Sequence, residues 1–256
     1  MIVPTARELV NTSIQSMKKY FFLVFICLLS FACSKDENGN NENIPDNSFS
    51  ESFDDAKASE KEGWSFINNS VDLGATQWSN PSLPPFNAFA SMTGPAGYLW
   101  ADYKSTSSAA GIISNWAVSP ILTIQNGDKI SFYTRSELYY FNKDSTDFGN
   151  RLQVRMNPKN TGINTGSGAL PGDFNVLLLD INPTYLEFLY TPFVNRDPDA
   201  RLAYPHRWTK FEAVVKDLSN PVEGRFAFRY FVEDAGNNGR STSIGIDEVK
   251  YESVKK

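Results

Sequence analysis

Apolar and polar residues alternate in short runs through most of the chain after Ser48. In residues 129–135 and 151–156, every second side chain is apolar or uncharged and most of its neighbours are polar or charged, and in residues 225–233 Phe226, Phe228, Tyr230 and Val232 share one face. This period of two is typical of a β-strand with one buried and one solvated face. Shorter runs bounded by Gly, Pro, Asn or Asp predict further strands at 49–53, 63–67, 98–103, 112–118, 208–215 and 243–251.

Two stretches depart from this alternation. Residues 174–181 are almost continuously apolar, which favours a central strand covered on both faces. Residues 182–193 leave room for one helical turn between Pro183 and Pro192, and no segment of the chain sustains a helical period. Many short strands in about 200 residues predict an all-β fold, a jelly-roll-like antiparallel β-sandwich.

The last predicted strand changes phase at Asp247. Ile244 and Ile246 share one parity, whereas Val249 and Tyr251 share the other. A β-bulge at Asp247 would bring both pairs to the core and aim a side chain elsewhere. Burial of the strand on both faces is the alternative.

The amino-terminal residues follow a different pattern. Lys18 and Lys19 precede an apolar run of 12 residues, 20–31, which is shorter than the roughly 20 that cross a bilayer and fits a signal peptide. Cys33 follows Ala32 as in a bacterial lipobox, although Leu29 lies one position further away than usual. We predict a signal peptide at 1–32 and lipidation of Cys33. Residues 1–16 do not fit a signal peptide, which makes Met17 a candidate for the natural start.

Residues 33–47 predict a polar tether. After Cys33, the one apolar side chain is Ile44, so this stretch cannot bury enough surface to fold. Its start, Lys35-Asp36-Glu37, resembles the acidic signal that sends some lipoproteins to the cell surface, and a generic linker is the alternative. We therefore expect an outer-membrane lipoprotein, exposed on the cell surface and attached to the membrane through its lipid.

Charge and residue counts exclude several function classes. The chain has a net charge of −5, so nucleic acid is not an expected partner. The two cysteines, Cys27 and Cys33, precede the predicted domain, which excludes a disulfide within it. A single histidine and the absence of Gly-x-Ser-x-Gly or His-Glu-x-x-His motifs favour a protein that is not an enzyme. A glycosidase carboxylate pair drawn from Asp102, Glu137 and Glu187 is the alternative.

Three segments carry a resemblance to a known family. They are Ser-Glu-Ser-Phe-Asp at 50–54, Asn-Trp-Ala-Val-Ser-Pro at 115–120 and Gly-Ile-Asp-Glu-Val at 245–249. In this order they resemble the choice-of-anchor J domain family, which is related to the cleaved-adhesin modules of gingipain proteases. The resemblance covers about residues 50–251. It implies a jelly-roll domain at 48–256 on an anchored protein, with calcium and an adhesive role.

The resemblance also implies site residues. It favours Glu51 and Asp247 as calcium ligands, and Asp54 lies beside Glu51. Calcium takes about six to eight oxygen ligands, and the first and last strands of such folds often run side by side. Ordinary solvated carboxylates are the alternative.

An aromatic cluster supplies the candidate ligand site. Tyr139, Tyr140 and Phe141 follow a predicted strand and precede a polar stretch. Aromatic side chains on loops suit stacking on sugars or a protein partner, and capping of the core is the alternative. We therefore predict a surface lipoprotein with a non-catalytic binding or adhesion module, stabilised by calcium, whose ligand is a glycan or an extracellular protein. A structural subunit of an outer-membrane complex and an extracellular glycan hydrolase are the alternatives.

Overall fold

The structure, a computed structural model, describes residues 45–89 and 97–254. The predicted signal peptide, Cys33 and the tether up to residue 44 lie outside the described residues. Among the residues described, none belongs to a helix that is long and apolar enough to cross a membrane.

Antiparallel strands dominate the described residues. In chain order they are β1 (Phe49–Glu51), β2 (Ser65–Asn68), β3 (Leu99–Asp102), β4 (Gly111–Val118), β5 (Leu122–Ile124), β6 (Lys129–Ser136), β7 (Tyr139–Phe141), β8 (Asp144–Thr146), β9 (Leu152–Asn157), β10 (Val176–Ile181), β11 (Leu189–Tyr190), β12 (Asn195–Arg196), β13 (Thr209–Val214), β14 (Val222–Ala235) and β15 (Ser243–Glu252). Every strand that the alternation predicts is present.

Two antiparallel sheets pack face to face as a sandwich. The first has the order β1-β15-β6-β13, with β3 pairing to β15, and the second has the order β10-β9-β14-β4-β2, with β5 pairing to β14. The core lies between them and takes alternate residues of each strand, such as Phe132 of β6 and Phe228 of β14, whose ring centroids are 4.8 Å apart. The predicted antiparallel β-sandwich is confirmed.

The last strand contains the predicted bulge. Its pairing with β6 shifts register between Asp247 and Lys250, and Glu248 has a φ of 50°. Ile246 and Val249 are therefore both fully buried although they have opposite parity. The amino-terminal half of the strand is also buried on both faces, so each of the two interpretations describes part of β15.

Two secondary-structure predictions were wrong, and one short helix was not predicted. Residues 174–181 contain an edge strand, because β10 pairs with β9 alone among the described strands, and a register shift between Leu177 and Leu179 breaks its alternation. Residues 182–193 contain β11 instead of a helical turn. A short helix, α1 (Ala56–Lys61), was not predicted, because six residues are too few to show a period. The Asp55 carboxylate caps it by accepting from the amide of Lys57 at 2.9 Å.

A third, smaller sheet has the order β12-β11-β8-β7. Strands β7 and β8 form a hairpin, and Asn142 in its turn has a φ of 56°. The aromatic residues 139–141 were expected on a loop but form the edge strand β7. Behind this sheet, one Asp147 carboxylate oxygen accepts from the amides of Gly149 and Phe188, both at 3.1 Å, and so joins the segments after β8 and before β11.

Candidate functional site

One end of the sandwich gathers the residues that follow β3, β6 and β14 and those that precede β15. Together with two rings near the small sheet, they line a cavity of about 570 Å³, here called the end cavity. Its aromatic lining is Tyr103, Tyr139 and Phe148, and its polar lining is Glu137, Asn237, Asn238, Ser241 and Thr242. The volume lies within the range of small-molecule sites, roughly 300–1,000 Å³.

A hydrogen-bond network holds the floor of the end cavity in place. The Thr242 hydroxyl donates to the backbone carbonyl of Glu137 at 2.9 Å, and the Asn150 amide donates to that hydroxyl at 3.0 Å. The Tyr103 amide donates to the Thr242 carbonyl at 2.8 Å. Because the floor contacts β3, β6 and β9 segments at once, its geometry is fixed before any ligand arrives.

Ser241 is the unusual residue of this floor. It is 5% exposed and has a φ of 81°, a left-handed conformation that a serine rarely adopts. Its hydroxyl lies close enough to the buried Tyr230 phenol to lower that group's raised pKa, yet it makes no hydrogen bond of ordinary geometry with any described residue. An unpartnered buried hydroxyl costs about 1–3 kcal/mol, and such outliers concentrate at binding sites.

Two rings form the aromatic wall. The Tyr139 and Phe148 centroids are 5.8 Å apart with an interplanar angle of 42°. Tyr139 is half exposed and lines the end cavity, whereas Tyr140 and Phe141, at 73% and 61% exposure, do not line it. Successive side chains of a strand point to opposite faces, which directs Tyr140 away from the face of Tyr139, and Phe141 lies on the face of Tyr139 but beyond the lining. The predicted aromatic cluster therefore contributes one of its three members to the site.

The turn after β14 supplies two amide side chains. Gly236 has a φ of 121°, and a Cβ there would lie 2.1 Å from the carbonyl oxygen of Ser108, so glycine is required. The turn exposes Asn237 and Asn238, while the backbone amide of Asn238 donates to Ala109 at 3.1 Å. The sequence showed a polar turn here, but nothing in it connected the turn with Tyr139.

The three carboxylates considered for a glycosidase pair have different surroundings, and one of them lines the end cavity. Glu137 lines the end cavity, and its Oε2 accepts from the Ser243 hydroxyl at 2.7 Å. Asp102 is buried, accepts from the Thr76 hydroxyl at 2.5 Å and caps a 3-10 helix. Glu187 pairs with Arg196 at 3.5 Å on the small sheet. Glu137 is thus the one carboxylate among the lining residues.

The residues predicted to bind calcium lie away from the end cavity. Strands β1 and β15 do run side by side, and Glu51 lies opposite Val249. Each of the three carboxylates accepts a backbone amide: Glu51 that of Phe53 at 2.7 Å, Asp54 that of Gly97 at 3.1 Å and Asp247 that of Phe89 at 2.8 Å.

The environment of Asp247 contains a second carboxylate. Burial, with the nearby charges of Glu248 and Asp54 adding to it, raises the pKa of Asp247 to about 6, while the backbone amides of Phe89 and Glu248 act in the opposite direction. Asp54 and Asp247 are therefore close enough to repel each other. Over residues 45–89 and 97–254, however, no three His, Cys, Asp or Glu side chains form a group that could hold a metal ion by themselves.

Several solved structures are similar to this chain at low identity. The K1 cleaved adhesin domain of Lys-gingipain from Porphyromonas gingivalis W83 matches with a TM-score of 0.49 and 18% identity over 81% of this chain and 99% of that domain. The K3 domain of the same protein matches with a TM-score of 0.47 and 16% identity over 82% of this chain and 100% of that domain. The CBM22-1 xylan-binding domain of Paenibacillus barcinonensis Xyn10C matches with a TM-score of 0.36 and 12% identity over 81% of this chain and 94% of that domain.

Similarity at this level concerns the architecture and does not assign a function to this chain. No protein-family model matches the sequence, and no curated protein matches it. The resemblance to choice-of-anchor J domains therefore stays a prediction.

Proposed function

We propose that this chain is a lipid-anchored, non-catalytic binding module of the choice-of-anchor J type that holds a saccharide unit in the end cavity. The observation that supports this is the composition of the lining, which combines the partly exposed rings of Tyr139 and Phe148 with the Glu137 carboxylate and the exposed side-chain amides of Asn237 and Asn238. A sugar ring has apolar C–H faces that stack on aromatic rings and hydroxyl edges that need hydrogen bonds. The end cavity offers both kinds of contact at a suitable size.

A binding role suits this site better than hydrolysis. Glycoside hydrolases use two carboxyl groups, about 5 to 10 Å apart, on either side of the bond that is cleaved. Glu137 has no second carboxylate beside it in the lining of the end cavity. We therefore propose that the cavity binds a saccharide and does not hydrolyse it.

Two adjacent tyrosines test the saccharide site. Tyr139→Ala removes a ring from the aromatic wall and should weaken saccharide binding about tenfold. The variant loses the ring contact, which contributes roughly 0.5–1.5 kcal/mol, and the apolar area that the sugar buries against it. Tyr140→Ala is the matched control, since this neighbouring ring is more exposed and does not line the cavity. Glycan-array binding followed by titration calorimetry measures both. Equal losses in the two variants would exclude the end cavity as the site.

An extracellular protein is the second candidate ligand. The small sheet exposes several large apolar side chains, among them Tyr140, Phe141 and Phe193, the last at 94% exposure. A surface of this kind is typical of a protein contact. If a protein is the ligand, Tyr140→Ala weakens binding more than Tyr139→Ala, so the same pair of variants distinguishes the two candidates.

The anchor is proposed at Cys33. Diacylation of this residue would hold the chain at the outer membrane, because each buried methylene contributes about 0.8 kcal/mol. Cys33→Ser should move the protein from the membrane fraction to the soluble fraction, and protease treatment of intact cells checks surface exposure. Retention of Cys33→Ser in the membrane fraction would exclude lipidation of this residue as the anchor.

We propose that a calcium ion binds between Asp54 and Asp247. Main-chain oxygens and Glu51 would supply further ligands. What favours it is the repulsion between the two carboxylates, which a divalent cation would relieve. Thermal unfolding should show a higher midpoint in calcium than in chelator, by mass action, and Asp247→Asn should abolish the difference. Asp217→Asn, an exposed control, should keep it. A midpoint that is the same with calcium and with chelator would remove the metal from the proposal.

A further inference from the structure

The geometry of the end cavity points to a charge preference: we propose that it takes a neutral saccharide and rejects acidic sugars such as uronic acids, with Glu137 as the discriminating residue. This inference rests on the proposed function and names the ligand class of the same site.

The Glu137 carboxylate is open towards the end cavity. A carboxylate offers about four lone-pair positions and accepts without donating. Within the described residues, the Ser243 hydroxyl, at 2.7 Å from Oε2, is its one side-chain donor, and Glu137 forms no ion pair. The remaining positions suit two neighbouring hydroxyl groups of a sugar, which donate to it.

Among the described residues, no cationic side chain lines the end cavity. Burial lowers the pKa of the Arg135 guanidinium and the charge of nearby Glu137 opposes that shift, but the guanidinium lies over the Phe86 ring, 4.3 Å from its centroid, and donates to the Ser136 carbonyl at 3.3 Å. Arg240, next to the turn after β14, pairs with Asp234 at 2.9 Å. A carboxylate on the ligand would therefore meet Glu137 before it meets a cation.

Lys104 is a further cation in this region. Its ammonium lies 5.7 Å from the centroid of the Tyr103 ring, and the end cavity is lined by Tyr103 but not by Lys104. The charge that a bound ligand meets first is that of Glu137.

The remaining polar lining favours a hydroxyl-rich ligand over a simple cation. A lysine side chain would suit Glu137 and the aromatic wall, but an ammonium group only donates and cannot also satisfy the donors of the exposed Asn237 and Asn238 side-chain amides. A neutral sugar has several hydroxyl groups, each of which donates and accepts, so it can bond the Glu137 carboxylate and these amides together.

The test uses the full chain and matched pairs of probes. The pairs are the methyl glycosides of glucose, galactose and mannose, each with its uronic acid counterpart, measured by calorimetry at neutral pH. The neutral member should bind about tenfold or more tightly, since like charges in a partly desolvated site repel strongly. Glu137→Gln should reduce this ratio to near one while the neutral sugar still binds. Ser243→Ala, which removes the one hydroxyl donor to Glu137, should keep the preference.

The outcomes separate this inference from the proposed function. Equal or tighter binding of the acidic members, or a ratio that Glu137→Gln leaves unchanged, overturns the charge preference alone. Displacement of the sugar by lysine amide at similar concentration also overturns it and favours a cationic ligand. Failure of all members of all pairs to bind overturns the proposed saccharide site and the preference together.

Discussion

At the scale of single residues, the end cavity is surrounded by polar groups whose burial is not fully compensated. Ser241 has a hydroxyl without a partner, and Asp147 behind the floor is fully buried. Burial raises the pKa of Asp147 to about 7, with the charge of Glu187 adding to it, while the amides of Gly149 and Phe188 act in the opposite direction. The folded protein therefore prefers the protonated acid at a position where the unfolded chain would be ionised.

The raised pKa of Asp147 predicts that the free energy of unfolding falls as the pH rises. Its unfolded pKa is about 3.9 and its folded pKa is about 7, so the protonated form contributes fully below pH 4, and this contribution is lost between about pH 4 and 7. Asp147→Asn keeps an acceptor for both amides and removes the titration. The wild type should lose free energy of unfolding between pH 5 and pH 8, and the variant should lose less by on the order of 2 kcal/mol. Urea unfolding at the two pH values measures this, and parallel curves for both proteins would contradict the assignment.

At the scale of the elements, β15 organises the first sheet. It pairs with β6 along one edge and with β3 and then β1 along the other, and its bulge keeps both halves in the core. Gly245 lies between Trp100 of β3 and Arg135 of β6. The segment before residue 90 packs directly over it, because the backbone there has no side chain.

Gly245 therefore predicts a steric effect. A Cβ at this position would lie 2.8 Å from Phe86, 2.9 Å from Trp208 and 3.0 Å from Tyr98. Gly245→Ala should lower the free energy of unfolding by about 1–3 kcal/mol, because the rings cannot all move away in a packed cluster. Combining it with Phe86→Leu, which removes the nearest ring, should restore part of the loss relative to Phe86→Leu alone. If the losses in the free energy of unfolding from the two substitutions simply add, steric crowding is not the cause.

Long strands could be predicted from the sequence, whereas very short ones could not. Strands such as β6 and β14 have eight or more residues, which is long enough for the pattern of apolar residues to reveal a strand. The strands β11 and β12 contain two residues each, which is too short for any period. The end cavity draws Tyr103, Glu137 and Ser241 from distant points of the chain, and their meeting depends on sheet order, which alternation does not encode. The bulge at Asp247 was predictable because it leaves a phase change in the sequence itself.

At the scale of the whole molecule, aromatic stacking joins the two sheets into one core. Phe226 of β14 stacks on Tyr251 of β15 at 5.9 Å with an interplanar angle of 4°, and Trp64 meets its edge at 5.8 Å. Phe226 is fully buried. These contacts cross from the second sheet to the first, so we expect the sandwich to unfold as one cooperative unit.

Phe226→Ala tests that expectation. The cavity that it creates should lower the free energy of unfolding by about 3–5 kcal/mol, and Phe226→Leu, which keeps most of the volume, should cost less. Calorimetry should still show one transition, at a lower temperature. Two separate transitions in the alanine variant would mean that the sheets have independent cores.

The positions of the two ends of β15 have a mechanical consequence. The strand starts beside the end cavity and finishes beside Ser48, whose hydroxyl accepts from the amide of Ser253 at 3.0 Å. Its 10 residues span roughly 30 Å, so the polypeptide enters the sandwich at the pole opposite the end cavity. A pull between Ser48 and the end cavity runs along the strands, and the hydrogen bonds between β1 and β15 lie across that direction. They would carry such a load together in shear instead of breaking one after another.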